Sequence, residues 1–371
     1  MSQATPDESL TSIRINFELK NNGVWCEELI VEDVLDSTVL NLLNVYVVFG
    51  LYECSLVLIV IGRGTYSTVK KAWSSRQHKT VAIKIIDKRL QSRYIKDFLP
   101  RELRIVPTLN HDNIIKVYDV IHSGPFVCLV EEYANNGDLL RRIKGNIRLN
   151  EDESRFYFRQ LIEALMYLKS IKVAHRDLKC ENILLDSCDN VKLCDFGFAR
   201  MMKDGDVSRT FCGSRAYAAP EILRQIPYNG FTVDVWSAAI VLYIMITGVM
   251  PYNSNNPRKM LNRQLQHRLA LKSSSISKFS RSNYLKKNPE NFILVYLKLL
   301  MCALVSFPKL IFLSDDVKEL LYQMLHPSPS DRITYQEMLD SRWLANTHYF
   351  IRTESMELTR RKAMSSEAIL D

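Results

Sequence analysis

Val173-Ala-His-Arg-Asp-Leu-Lys-Cys-Glu-Asn-Ile-Leu-Leu185 is the stretch on which the reading of this chain turns. Between apolar ends it packs His175, Asp177, Lys179 and Asn182 at offsets that a solvated loop would not need. A little further on, Val191-Lys-Leu-Cys-Asp-Phe-Gly197 sets another carboxylate, Asp195, directly after a short apolar strand, and Ala219-Pro-Glu221 closes the segment. Taken singly, Asp195 reads as a turn former and His175 as a core histidine. Taken jointly and in this order, they place a carboxylate able to take a proton beside an Asp and an Asn able to ligate a hard cation.

Upstream lies Ile61-Gly-Arg-Gly-Thr-Tyr-Ser-Thr-Val69, then the alternating stretch Val81-Ala-Ile-Lys-Ile-Ile86. Both read as strands, with the glycines in a hairpin turn whose backbone N–H groups can approach a phosphate chain closely. Alone this is weak evidence, because any hairpin uses glycine and the third place holds Ser67. Lys84 sits within an apolar strand, so it is either an edge residue or a charge aimed into a cleft. Glu102, on a helix expected from Phe98 to Leu109, could supply its partner. Ile114–Val120 and Phe126–Val130 read as a second hairpin.

Beyond Gly137 the pattern turns helical. Helices are expected from Asn150 to about Lys169, and over Val233–Thr247, Arg258–Leu269, Asp315–Leu325 and Thr334–Leu339. A β-rich front and a helical remainder imply two unlike lobes with a ligand cleft between them.

Composition narrows the classes further. Hydrophobic residues make up 47% of the 371 and charged residues 24%, which excludes a disordered chain, a collagen-like fibre and a small disulfide scaffold. Forty-nine Lys and Arg against 41 Asp and Glu invite a nucleic-acid reading, but nine of the basic residues lie between Arg258 and Lys287 with no acid among them. The rest of the chain is neutral. Eight scattered cysteines without a CxxC pair, behind a polar, acidic N-terminus, fit free thiols in a reducing compartment. The apolar block from Val39 is shortened by the strand that ends in Gly62, leaving Val39–Glu53, too short to span a bilayer as a helix. A crossing at Phe292–Leu313 would divide one lobe between two sides of a membrane. No transmembrane segment is therefore expected.

A proton acceptor, a pair of cation ligands and a glycine turn are what phosphoryl transfer from Mg-ATP requires. The chain resembles a eukaryotic protein kinase, with the signature set in order from Leu56 to Leu344. Thr210-Phe-Cys-Gly-Ser-Arg-Ala-Tyr-Ala-Ala-Pro-Glu221, His175 to Asn182 and Gly248-Val-Met-Pro-Tyr252 are most similar to the testis-specific serine/threonine kinases, of the calmodulin-dependent-kinase-like group. The resemblance implies an α+β bilobal fold. Residues 1-54 would form an N-terminal extension, 55-133 a small β-rich N-lobe, and 134-344 a larger helical C-lobe with an atypical insert at about 271-310. A tail would occupy 345-371. It implies that Ile61, Gly62, Gly64, Ser67 and Val69 cover ATP, that Lys84 holds its phosphates and pairs with Glu102, and that Glu132 lies at the hinge. Asp177 would accept the substrate hydroxyl proton, Lys179 steady the transferring phosphate, and Asn182 and Asp195 bind Mg²⁺. Asp138 and Glu181 would hold an arginine three residues before the target serine or threonine. Arg332 should pair with Glu221, and Asp234 should anchor the catalytic loop. Arg176 would receive a phosphate on Thr210, placed by an upstream kinase or by autophosphorylation. A cytoplasmic setting in spermatogenesis, protein substrates and no nucleic-acid partner follow from the same resemblance.

Three points stay open in the sequence. Aligning Glu132 to the hinge puts Glu131 at the gatekeeper position, unless the alignment is shifted by one place. Cys194 is either a reactive thiol beside the nucleotide or an inert buried one. The insert and the 39–60 stretch break the kinase-like pattern, so they are genuine additions or translated non-coding sequence. The alternatives in function are a catalytically impaired pseudokinase scaffold and a nucleic-acid-binding protein resting on the Arg258–Lys287 patch.

Overall fold

The computed structural model describes residues 54–203, 205–266 and 313–356, with side chains from residue 59 onward. The extension up to residue 53, the second apolar block up to residue 312, most of the basic patch, the insert and the end of the tail lie outside the described residues.

The front of the chain alternates polar and apolar residues and folds into a five-stranded antiparallel sheet, ordered β1-β2-β3-β5-β4. Its strands are β1 (Cys54–Arg63), β2 (Ser67–Ser74), β3 (Lys79–Asp87), β4 (Val117–Ser123) and β5 (Phe126–Glu132). Register fixes which side chains share a face, since directly paired residues of antiparallel strands point the same way. Ala82 pairs with Glu131 and Lys84 with Leu129. Val81, Ile83, Ile85, Cys128 and Val130 pack together on the opposite face. The lysine is thus turned off the apolar face, with Ala82, Leu129 and Glu131 beside it.

The crossover from β3 to β4 holds one helix, α1 (Leu99–Ile105), preceded by a π turn over Tyr94–Phe98 and followed by a 3₁₀ turn over Val106–Thr108. Pro100 stands in its first turn, where a missing N–H costs no helical bond. The helical segment therefore starts four residues before the expected Phe98, because the proline masks the turn ahead of it.

The larger lobe is built on α3 (Glu151–Ser170) and α5 (Gly230–Thr247). Asn150 caps α3 by accepting from Glu153 N at 2.8 Å, and three acids in the first turn favour that positive end of the helix. Helix α5 is apolar all round and buried in the lobe's core beside α3 and α7 (Asp315–Met324). It is the single helix among the described residues long and apolar enough to cross a membrane, and 89% of it is buried in the protein. Gly248 ends it in a left-handed turn at φ 74°, where a Cβ would run into the Ile147 carbonyl. Short elements complete the lobe: α2 (Leu139–Gly145), α4 (Pro220–Leu223), α6 (Pro257–Leu265) and α8 (Tyr335–Leu339), with strand pairs β6 (Val173–Ala174) to β9 (Arg200–Met201) and β7 (Ile183–Leu185) to β8 (Val191–Leu193). Helices α2 and α4 are too short to leave a periodic signal. Past Leu344 the chain runs along α3: Arg159 donates to Thr347 O at 2.6 Å, Gln160 to Phe350 O at 2.9 Å, and Tyr349 OH to Asn113 Oδ1 at 2.9 Å.

Candidate active site

Two acidic groups, Glu102 on α1 and Asp195 just after β8, meet the lysine of β3. Lys84 Nζ donates to Glu102 Oε1 at 2.7 Å and to Asp195 Oδ1 at 3.1 Å. Burial opposes the lysine's charge, but Asp195 and Glu102 outweigh it and hold its pKa well above the ordinary value. In return Lys84 holds the Asp195 carboxyl down at about 2. Asp195 stays 44% exposed to the cleft while Glu102 is 1% exposed, so the outer acid is open to an added cation and the inner one is a fixed counter-charge. Asp195 itself sits at φ 62°, a left-handed conformation that aims it back toward the lysine.

The preceding loop carries the second cluster. Asp234 of α5 accepts from His175 N and Arg176 N, both at 2.8 Å, and so pins the backbone just before Asp177. His175 Nε2 meets Cys194 O at 3.0 Å and ties that loop to the residue before Asp195. Lys179 Nζ donates to Asp177 Oδ2 at 2.9 Å, and Ser214 N donates to Asp177 Oδ1 at 2.8 Å. Asn182 Nδ2 donates to Asp177 O at 2.9 Å, and Cys194 N donates to Asn182 O at 2.9 Å. Asp177, Lys179 and Asn182 are therefore joined in one network, which the Cys194 backbone ties to the position just before Asp195. Ser214 carried no signal in the sequence, because its backbone N–H is what reaches the acid.

Glycines 62 and 64 lie at the β1–β2 turn, closed by Gly64 N donating to Ser67 O at 2.8 Å. Val69 pairs with Gly62 on one side and Lys84 on the other, which hangs the turn over the lysine. Glu132 sits on the opposite face from Lys84, with its carboxylate held by Lys192 Nζ at 2.7 Å, so its backbone is what it can offer a ligand. The register removes the one-place shift: Glu131 faces the cleft, half-buried, and burial pushes its carboxyl up to about 7 against the pull of Lys84. Cys194 is also on the inert side, since burial and then Asp195 hold its thiol well above the ordinary pKa.

Toward the substrate side, Asp138 caps α2 by accepting from Arg141 N at 2.8 Å, and Glu181 Oε2 accepts from Tyr217 OH at 3.2 Å. Arg176 is buried. Its Nε donates to Phe198 O and its Nη1 to Ser208 Oγ, both at 2.8 Å, while Nη2 has no partner among the described residues. Thr210 lies beside it through backbone: Tyr228 OH donates to Thr210 O at 2.6 Å, and Thr210 N to Ser208 Oγ at 3.3 Å. Below, Arg332 makes a two-pronged pair with Glu221, at 2.8 and 3.1 Å, as the resemblance implied.

The donor set can hold a nucleotide and a hard cation. Among the described residues no group of three acid, His or Cys side chains gathers to hold a cation alone. Asn182 and Asp195 by themselves suit an ion that takes its remaining ligands from phosphate and water, as Mg²⁺ does.

Comparison with known proteins agrees with this geometry. The family model described as the protein kinase domain matches residues 57–344. Testis-specific serine/threonine-protein kinase 2 of Mus musculus is 40% identical over 78% of this chain and 73% of its own. Testis-specific serine/threonine-protein kinase 1 of Homo sapiens is 40% identical over 78% and 71%, and Homo sapiens kinase 3 of that name 39% over 77% and 94%.

Proposed function

Since this chain belongs to the protein kinase family and is a protein serine/threonine kinase using ATP and a divalent metal, we propose that it moves the γ-phosphate of Mg-ATP onto Ser or Thr of proteins carrying a basic residue before the target. The observation that carries this reading is the Lys84–Glu102–Asp195 cluster, tied to Asp177 by the Cys194 N to Asn182 O and Asn182 Nδ2 to Asp177 O bonds. In it, Lys84 holds the α- and β-phosphates, with Glu102 fixing its direction. The Ile61–Val69 turn covers the phosphates, and the Glu132 backbone meets the adenine edge. Asn182 and Asp195 hold Mg²⁺, which supplies charge neutralisation on the phosphates. Asp177 accepts the proton of the attacking hydroxyl. Lys179 lies on its other oxygen and steadies the transferring group. Asp138 and Glu181 supply negative charge for an arginine of the substrate.

Arg176 is the regulatory half of the proposal. Its buried, unpartnered Nη2 suits a phosphate on Thr210, added by an upstream kinase or in autophosphorylation, through charge-assisted bonds that order the loop. The names of the testis-specific relatives support a role in spermatogenesis and, with the free thiols, a cytoplasmic site of action. No nucleic-acid partner is part of the proposal. A filled catalytic set disfavours the pseudokinase alternative.

Phosphorylation of a degenerate peptide library with Mg-ATP, combined with intact-mass mapping of Thr210, tests the reading. Enrichment of arginine three places before phosphorylated Ser or Thr supports it. Silence of a Thr210-phosphorylated chain on every peptide overturns it.

A further inference from the structure

Tyr94 was given no role by the sequence, yet three parts of the cleft meet on this side chain. It opens the π turn before α1, eight positions ahead of Glu102, and is 8% exposed. Its hydroxyl donates to Glu102 Oε2, while the other carboxylate oxygen takes Lys84 Nζ at 2.7 Å. One face of its ring stacks on Tyr66, with centroids 4.9 Å apart and planes 8° from parallel. Tyr66 stands in the glycine turn between Gly64 and Ser67. The ring's edge abuts Gly197, where a Cβ would stand 3.2 Å from Tyr94 Cε2. Burial, the largest influence, keeps the phenol protonated and therefore a donor.

We infer that Tyr94 is a positioning residue of the phosphoryl-transfer site: its hydroxyl fixes Glu102 and so Lys84, and its ring holds the glycine turn down over the phosphate end of the cleft through Tyr66. The inference rests on reading that cleft as the Mg-ATP site. A carboxylate with one oxygen on a lysine and the other free can rotate about its terminal torsion. A phenol on the second oxygen stops that rotation, and a bond to a charged acceptor is stronger than a neutral one. The turn needs an outside hold as well. Its glycines give it backbone freedom, and Gly64 N to Ser67 O is a contact within the turn. The aromatic stack ties the turn to the helix that carries Glu102, so nucleotide grip and helix position move together.

Substitutions separate the two parts. Tyr94→Phe keeps the ring and removes the hydroxyl; Tyr66→Ala removes the stack and leaves the hydroxyl; Tyr66→Phe keeps the stack. Steady-state kinetics on the full chain would vary ATP and an Arg-x-x-Ser peptide in turn. A fluorescent ATP analogue would report binding without turnover, and melting would report folding. Tyr94→Phe is expected to raise the ATP KM about tenfold. Tyr66→Ala should raise it roughly threefold to tenfold, and Tyr66→Phe should restore it. The peptide KM should stay near wild type in each, while melting falls modestly and leaves every variant folded at the assay temperature. Unchanged ATP KM in Tyr94→Phe, or tighter analogue binding by Tyr66→Ala, overturns the inference while leaving the kinase reading standing. A wild-type chain that binds no nucleotide takes down both.

Discussion

Arg332→Leu strips the cation from Glu221, a carboxylate 111 residues away in sequence and 2% exposed. The arginine side chain is itself 0% exposed, so neither charge is shared with water. Its guanidinium also donates to His326 O at 3.1 Å and Thr232 O at 2.7 Å, and lies 5.1 Å from the Trp236 ring centroid. Leucine offers none of these bonds and leaves one buried charge without its cation. Breaking a buried pair from one side costs about 3–5 kcal/mol, most of it the stranded charge. With a urea slope of roughly 3 kcal/mol/M for a domain of this size, the unfolding midpoint should fall by about 1–1.7 M. Removing both partners, as Arg332→Leu with Glu221→Leu, should recover most of the loss. Urea curves at pH 8 read both outcomes. A loss under about 1 kcal/mol at pH 8 would refute the reasoning, as would a double variant no better than the single one.

Three further outcomes follow from the geometry. Glu131 sits with its carboxyl at about 7 against the ordinary 4.5, so the fold binds an extra proton between those values and loses stability as pH rises through them. Fully buried, that displacement corresponds to about 3 kcal/mol; half-buried as the side chain is, Glu131→Gln should gain roughly 1–2 kcal/mol at pH 8 and nothing at pH 4, by melting at both. Thr210→Ala should lower turnover at least tenfold, and an unphosphorylated enzyme with full turnover would refute the Arg176 account. Gly248→Ala should cost about 2 kcal/mol or more, from a left-handed φ and the Ile147 carbonyl in the way, measured by urea unfolding.

Local chemistry made much of this legible. The 150–169 helix reads from its apolar spacing and the Asn150 cap, and the two hairpins read from alternation around glycine. Asp177, Asn182 and Asp195 read from offsets within short stretches and from family resemblance. What stayed hidden depends on contacts across the fold. The alignment at Glu131 is decided by β3–β5 register, which two neighbouring glutamates cannot reveal in one dimension. Ser208 is 0% exposed, yet in sequence it is one more serine in a polar loop. Tyr94 hides behind Pro100, where the expected helix start falls too late, although its spacing of eight from Glu102 places both on one side of a helical segment. Ser214 contributes a backbone N–H, for which no residue type is diagnostic.

The account rests on Asp177 facing the same nucleotide as Lys84 and Asp195. Its most direct test is the initial rate of phosphate transfer from Mg-ATP to an Arg-x-x-Ser peptide by the Thr210-phosphorylated chain and by its Asp177→Asn variant. A general base contributes about 10²–10⁴-fold, so the variant should fall by that factor while still binding the ATP analogue as wild type does. Equal rates in the two, or loss of nucleotide binding as the sole effect, would contradict it.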